Sequence, residues 1–201
     1  MLIDVSLRLK EGMIFRKGSP EFSINELSCF HEEEGNYITS IINTPSHIGT
    51  HIDVISKDNS ILLDRFIGRG ILIDVSNIIG QIKMEDIKNK KSLKKDDFVF
   101  FRTDWSQKIE NDEYFDHPEL SLEVLEWLID EKINMVGIDA LGLGRSKNHG
   151  TYDRYLAKHG IFIIENLTNL NLIKKEEFKV YCFPLNIENI EAIPARVVVE
   201  V

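Results

Sequence analysis

The chain has 201 residues, enough for one domain with a sizeable core, and its apolar fraction of 43% and charged fraction of 28% are those of an ordinary globular protein. With 24 basic against 33 acidic residues, the net charge of −9 argues against a nucleic-acid surface, and no stretch approaches the ~20 apolar residues of a membrane span. The opening MLIDVSLRLKEG carries acid early and lacks a continuous apolar core, so it does not read as a secretory signal. Two cysteines, Cys29 and Cys182, are too few for a disulfide framework, and a cytoplasmic location is expected.

Short β-rich runs recur along the chain: LIDVSL, NYITSIIN, GILIDVS, DFVFFRT, NMVGIDA, GIFIIEN, VYCFPLNI and ARVVVEV. Several are nearly continuous Val, Ile and Phe, the composition of strands covered on both faces. NYITSIIN alternates better and is expected to keep one wetter face. A helix is expected from Met84 to Lys91, followed by a solvated connection that includes Lys94 and Lys95. The clearest helix spans residues 121–132, with Ser121 as N-cap, Glu123 in the first turn, Lys132 in the last, and an apolar stripe of Val124, Leu125, Leu128 and Ile129. A third runs from Tyr152 to Lys158, ahead of GIFIIEN. The order predicts one mixed α/β domain over residues 1–201, with strands outnumbering helices.

The densest chemistry lies in His47-Ile48-Gly49-Thr50-His51-Ile52-Asp53, which holds two of the six histidines and a carboxylate. Imidazole and carboxylate together suit zinc or manganese. Fully extended, positions 47 and 51 would lie ~13 Å apart, too far to share an ion with bonds of ~2 Å. The chain must therefore curl, either as a helical turn or as a bend at Gly49. The plain alternative is a polar loop whose histidines only form hydrogen bonds.

Other groups sit at strand ends. Glu165 closes the apolar run GIFIIEN, where a carboxylate must be solvated, paired or bound to a cation. Asp74 and Asp139 are placed similarly and read as braces for neighbouring loops. Asp153 lies on the third helix, with His149 four residues earlier and His159 six later. Phe15, Trp105 and Tyr114 lie in connecting segments, where they could line a pocket for a flat substrate or simply pack under loops. Cys29, two residues before His31, is a weaker candidate nucleophile, and Cys182 reads as a core residue.

HxGTHxD resembles the front half of the motif HxGTHxDxPxH that marks the cyclase-like metal-dependent hydrolases, a superfamily that includes kynurenine formamidases and isatin hydrolases. LIDVSLRLKEGM, GILIDVS, DFVFFRTDWS, HPELS, MVGIDA and GIFIIENLTNL follow that family's order and spacing over nearly the whole chain. The resemblance implies a compact α/β fold of the swivelling β/β/α type and a homodimer or homotetramer. It implies His47, His51 and Asp53 as ligands of a first metal and Glu165 as a metal-site carboxylate. The reaction implied is attack of a metal-bound water on a small amide, formamide or lactam.

The chain also departs from that pattern. Where the motif has Pro-x-His, it has Ile55-Ser56-Lys57, and a family histidine twelve residues before the Glu165 position is Asp153. Both changes fall on the family's second metal site. The expectation is one divalent ion, zinc or manganese, with a second doubtful and the Lys57 ammonium standing in its region among Asp53, Asp153 and Glu165. Glu165, Lys57 and Asp153 are then the candidate acid–base groups. A small molecule is the expected partner, with neither nucleic acid nor membrane. A catalytically silent member that binds or senses a small molecule is the alternative.

Overall fold

A computed structural model describes residues 1–54, 62–87 and 92–201. Lys57 and the lysines at 88, 90 and 91 lie outside the described residues. The strands are β1 (Leu2–Asp4), β2 (Ser23–His31), β3 (Gly35–Asn43), β4 (His51–Asp53), β5 (Ile67–Asp74), β6 (Gln81–Ile82), β7 (Phe98–Arg102), β8 (Glu119–Leu120), β9 (Met135–Ile138), β10 (Phe162–Glu165), β11 (Glu177–Pro184) and β12 (Ala192–Glu200). Among the described residues two α-helices, α1 (Leu122–Asp130) and α2 (His149–Lys158), complete an α/β architecture in which strands outnumber helices.

The main sheet runs β1-β12-β11-β5-β7-β9-β10-β4, and β4 pairs again with β12, so the sheet closes into a ring. The segment β5-β7-β9-β10 is parallel, and the remaining pairs in the sheet are antiparallel. Alternation along these strands builds two cores. Ile52, Leu72, Phe98, Phe100, Met135, Ile164, Val180 and Val197 share one apolar cluster. Ile71, Ile73, Val99, Phe101, Val136, Ile138 and Ile163 point the opposite way, into a second cluster with Val124, Leu125 and Leu128 of α1 and Leu156 of α2. Burial on both faces is what the continuous Val/Ile/Phe runs require.

The helices differ from the sequence expectation in detail. α1 ends at Asp130, and Lys132 then takes a left-handed φ of 56° that stops the turn. Ser121 occupies the N-cap position, but its hydroxyl makes no capping bond and is buried without a partner among the described residues. Of the expected Met84–Lys91 helix, only a 3-10 turn at Met84–Asp86 is present among the described residues. There the Asp86 carboxylate accepts the Lys83 backbone N–H at 2.8 Å and closes the turn locally. α2 begins three residues earlier than expected, and this carries His149 onto the helix.

β2 and β3 form a separate two-stranded hairpin. β3 was expected to be wet on one face only; both of its faces are exposed. No helix among the described residues is long and apolar enough to cross a membrane.

Candidate metal centre

Residues 44–50 run irregularly from β3 to β4, and the curl that the histidine spacing demands is a bend. Gly49 has φ +59°, a left-handed conformation that glycine adopts without a Cβ penalty. His51 and Asp53 then lie on β4, two residues apart and so on one face, with Ile52 turned into the core between them. β10 aligns Glu165 opposite His51 and Ile163 opposite Asp53, which places Glu165 on the same face. α2 packs against that face, and its spacing of four puts His149 and Asp153 above the three.

The donor atoms converge without satisfying one another. His51 Nε2 stands 3.3 Å from Asp53 Oδ1 and 3.4 Å from Glu165 Oε2, and His47 Nε2 lies 3.5 Å from Asp53 Oδ1. His149 is 4.0 Å from Asp153 Oδ2 through Nε2 and 3.9 Å from Glu165 Oε1 through Nδ1. His51 Nε2, Asp53 Oδ1, Asp153 Oδ1 and Glu165 Oε1 are all buried without a hydrogen-bond partner among the described residues. Leaving four such atoms unmet is costly. Two ligands held ~2.1 Å from a tetrahedral ion stand ~3.4 Å apart, close to the spacings seen here. Among the described residues two trios have donors within 4.8 Å of one another: His47 with His51 and Asp53, and His149 with Asp153 and Glu165. The donor set therefore fits a divalent cation.

The imidazoles are oriented for that role from behind. His51 Nδ1–H donates to the Gly49 carbonyl at 3.0 Å, which leaves Nε2 for the cavity. His47 Nδ1–H donates to Ser46 Oγ at 3.0 Å, and that hydroxyl donates to Glu191 at 2.7 Å. Burial lowers the pKa of both His47 and His149, which favours the neutral, ligating form. Burial also opposes charge on His51, but Asp53 and Glu165 outweigh it and push its pKa up to about 10. Burial raises Glu165 to about 8, reinforced by Asp53, and raises Asp153 to about 9, reinforced by Glu165 and Asp53. Burial would raise Asp53 too, yet the adjacent His51 holds it below the usual carboxylate range. Three carboxylates crowded in this way favour a bound cation.

A half-open cavity of about 360 Å³ lies over these groups. Phe15 stacks on the His47 ring at a centroid distance of 5.5 Å and forms one flat wall. Arg16, Arg154 and Glu191 also line the cavity. Glu191 and Arg154 escape a sequence reading, because only the β12–β4 pairing and the α2 packing bring them here. Gly142 leaves space that a Cβ would take from His149 Nδ1 and Glu165 Oε1.

The remaining candidates lie elsewhere. Tyr114 borders a neighbouring cavity, where its hydroxyl donates to Asn166 Oδ1 at 2.5 Å. Trp105 packs beside the helix-side core, and its indole N–H donates to the Tyr114 carbonyl at 3.0 Å. Asp139 braces a loop by accepting Thr103 N–H, Thr103 Oγ–H and Asp104 N–H at 2.7, 2.6 and 2.9 Å, and Asp74 accepts from Ser76 and Arg102. His159 is exposed and bonds the Tyr155 carbonyl. Cys29 sits opposite Tyr37 on the hairpin, away from the cavity, and Cys182 is fully buried in the core; both are free thiols.

The closed α/β sheet and its convergent imidazoles and carboxylates define a protein built around a cation site. The family described as "Putative cyclase" matches residues 3–145, and the chain belongs to that Cyclase family. It is 26% identical over 194 residues to a kynurenine formamidase of Erythrobacter litoralis (strain HTCC2594), covering 92% of this chain and 86% of that protein. Among solved structures, a "predicted metal-dependent hydrolase" from Bacillus stearothermophilus is similar, with TM-score 0.81, 27% identity and coverage of 99% of this chain and 97% of that one. Isatin hydrolase A from Labrenzia aggregata shares the fold, with TM-score 0.80, 20% identity and coverage of 99% and 93%.

Proposed function

We propose that this chain is a metal-dependent hydrolase that cleaves the C–N bond of a small amide, formamide or lactam. The observation that carries the reading is the set of four buried donor atoms, unpartnered among the described residues, that converge under an open cavity. The relatives named kynurenine formamidase and metal-dependent hydrolase support the reaction class. His47, His51 and Asp53 would hold the ion, zinc or manganese, with Glu165 at its edge. Such an ion, when bound, polarises a carbonyl and makes water acidic enough to act as a nucleophile near neutral pH.

The chain's own groups do the rest. The backbone bond at Gly49 and the Ser46–Glu191 relay fix the two imidazole planes. Phe15 offers a flat wall against which a planar amide or aryl group can stack. Glu165 and Asp153 line the cavity, and with a cation bound to favour their ionised forms they would take a proton from the attacking water and return it to the leaving nitrogen. The Arg16 and Arg154 guanidiniums at the cavity favour a substrate with negative charge.

The second trio favours a variant of this reading, in which His149, Asp153 and Glu165 hold a second cation. Elemental analysis of the metal-replete protein separates the two. Two ions per chain, falling to one in His149→Ala, support the second site; one ion in both proteins removes it.

For the reaction itself, the test is turnover of N-formylkynurenine, isatin and a panel of cyclic amides by metal-replete protein. Turnover that His51→Ala reduces to background is the expected result. Tight binding of a panel member with no turnover would instead establish a silent, small-molecule-binding protein.

A further inference from the structure

The eight arginines divide by what holds them. Arg69, Arg102 and Arg196 pair with carboxylates, and Arg65 is held by Asn134 and the Gly160 carbonyl. Arg8, Arg16, Arg145 and Arg154 have no carboxylate partner among the described residues. The chain has 33 acidic residues to offer, yet three of these four guanidiniums stay unpaired around one place. Arg16 and Arg154 line the cavity over the donor cluster, and Arg16 and Arg145 line a second chamber of about 220 Å³. The two chambers share Arg16, Leu141 and His149, so they adjoin. Among the described residues no Asp or Glu lines the second chamber.

We propose that the second chamber is a subsite for a phosphoryl group, so that the small amide carries a phosphate monoester tail. The amide half rests on the hydrolase reading above; the subsite does not. One exposed guanidinium is ordinary on a surface. Three unpaired ones beside adjoining chambers make a local positive potential in a chain whose net charge of −9 otherwise repels anions. A carboxylate has two oxygens and one charge, which one guanidinium fork satisfies. A phosphate monoester has three acceptor oxygens and a charge of about −1.5 to −2, so it can meet several forks at once. Arg145 is free to do so, because its Nη1 donates only to the Asp116 carbonyl, at a long 3.4 Å.

His117 narrows the choice of anion. It lines the second chamber and is only 2% exposed. Its Nδ1–H is committed to the Pro118 carbonyl at 2.8 Å, which leaves Nε2 an acceptor with no hydrogen-bond partner among the described residues. A bare acceptor repels the oxygens of a fully ionised anion and welcomes one that still carries a proton. A phosphate monoester, with a second pKa of about 6, keeps its last O–H in part near neutral pH and can donate it to Nε2. Carboxylates have lost theirs by then, and sulfate has none. Cations beside one uncharged acceptor therefore select phosphate over both. A substrate would lay its amide over the donor cluster and pass its tail by Arg16 and Leu141 into the second chamber.

Calorimetric titration of the full chain with inorganic phosphate tests the subsite, after chelation so that no metal ion can take the anion. Phosphate should bind, and sulfate and acetate should bind at least about 10-fold more weakly. Arg145→Gln should weaken phosphate about 10- to 100-fold, the effect of one charge-assisted hydrogen bond. Arg8→Gln, which removes an equally unpaired guanidinium from a different cavity, should leave phosphate binding at the wild-type value. Arg145→Lys keeps the charge without the fork and should fall between wild type and Arg145→Gln, which guards against a variant that merely misfolds. Absence of phosphate binding, a preference for sulfate or acetate, or undiminished binding in Arg145→Gln would each overturn the inference. The titration needs neither metal nor turnover. Amide hydrolysis by a chain that ignores phosphate would remove this inference alone, whereas phosphate binding without hydrolysis would support the subsite and remove the hydrolase reading.

Discussion

Gly49→Ala should uncouple the histidine bend from the rest of the fold. At φ +59° an alanine takes a left-handed conformation that costs ~1 kcal/mol, and its Cβ would run into the Leu9 side chain. Overpacking of that kind costs ~1–3 kcal/mol, so a total loss of about 3 kcal/mol is expected. The Gly49 carbonyl also accepts His51 Nδ1–H at 3.0 Å and Asn166 Nδ2–H at 2.9 Å. Turning that carbonyl loosens the His51 ring, and zinc affinity should fall about 10- to 100-fold. Leu9→Ala removes the obstruction but not the backbone cost. The double variant should therefore recover roughly 2 kcal/mol relative to the sum of the single changes. Urea unfolding and calorimetric zinc titration read the two effects separately. A Gly49→Ala protein within about 0.5 kcal/mol of wild type, or strict additivity with Leu9→Ala, would refute the reasoning.

Two further predictions concern buried polar groups. Burial lowers the His117 pKa from 6.5 to about 4, with its Nδ1–H held by the Pro118 carbonyl at 2.8 Å. The unfolded chain therefore binds the extra proton between pH 6.5 and 4, so His117's contribution is full above 6.5 and is lost as pH falls through that window. The loss should reach about 3 kcal/mol; chemical unfolding across that range should show it in wild type and not in His117→Gln. Asp139→Asn puts an amide N–H against donors from Thr103 or Asp104, and should cost about 1–3 kcal/mol, read as a lower urea midpoint with an unchanged slope.

Much of the site was legible in the sequence because its core is local. His47, His51 and Asp53 are so close along the chain that their donor chemistry shows without a fold, and Glu165 stands out as a carboxylate ending an apolar run. His149 was harder. Gly150 speaks against helix, yet α2 begins at His149, and only that first turn sets its ring above Asp153 and Glu165. The covered strands announced themselves through unbroken Val, Ile and Phe. β2 did not, because SINELSCFH carries apolar residues on both faces and so shows no alternation.

The closure of the sheet through β4 also sets the order in which the protein can be made. β4 leaves the ribosome more than 100 residues before its neighbours β10 and β12. His51 pairs with Glu165 on one side and Pro194 on the other, so its final position waits for both strands. Contacts so distant in sequence form slowly. A nascent chain interrupted before β12 would therefore display the histidine bend without the frame that holds it, and cation capture belongs to the end of folding.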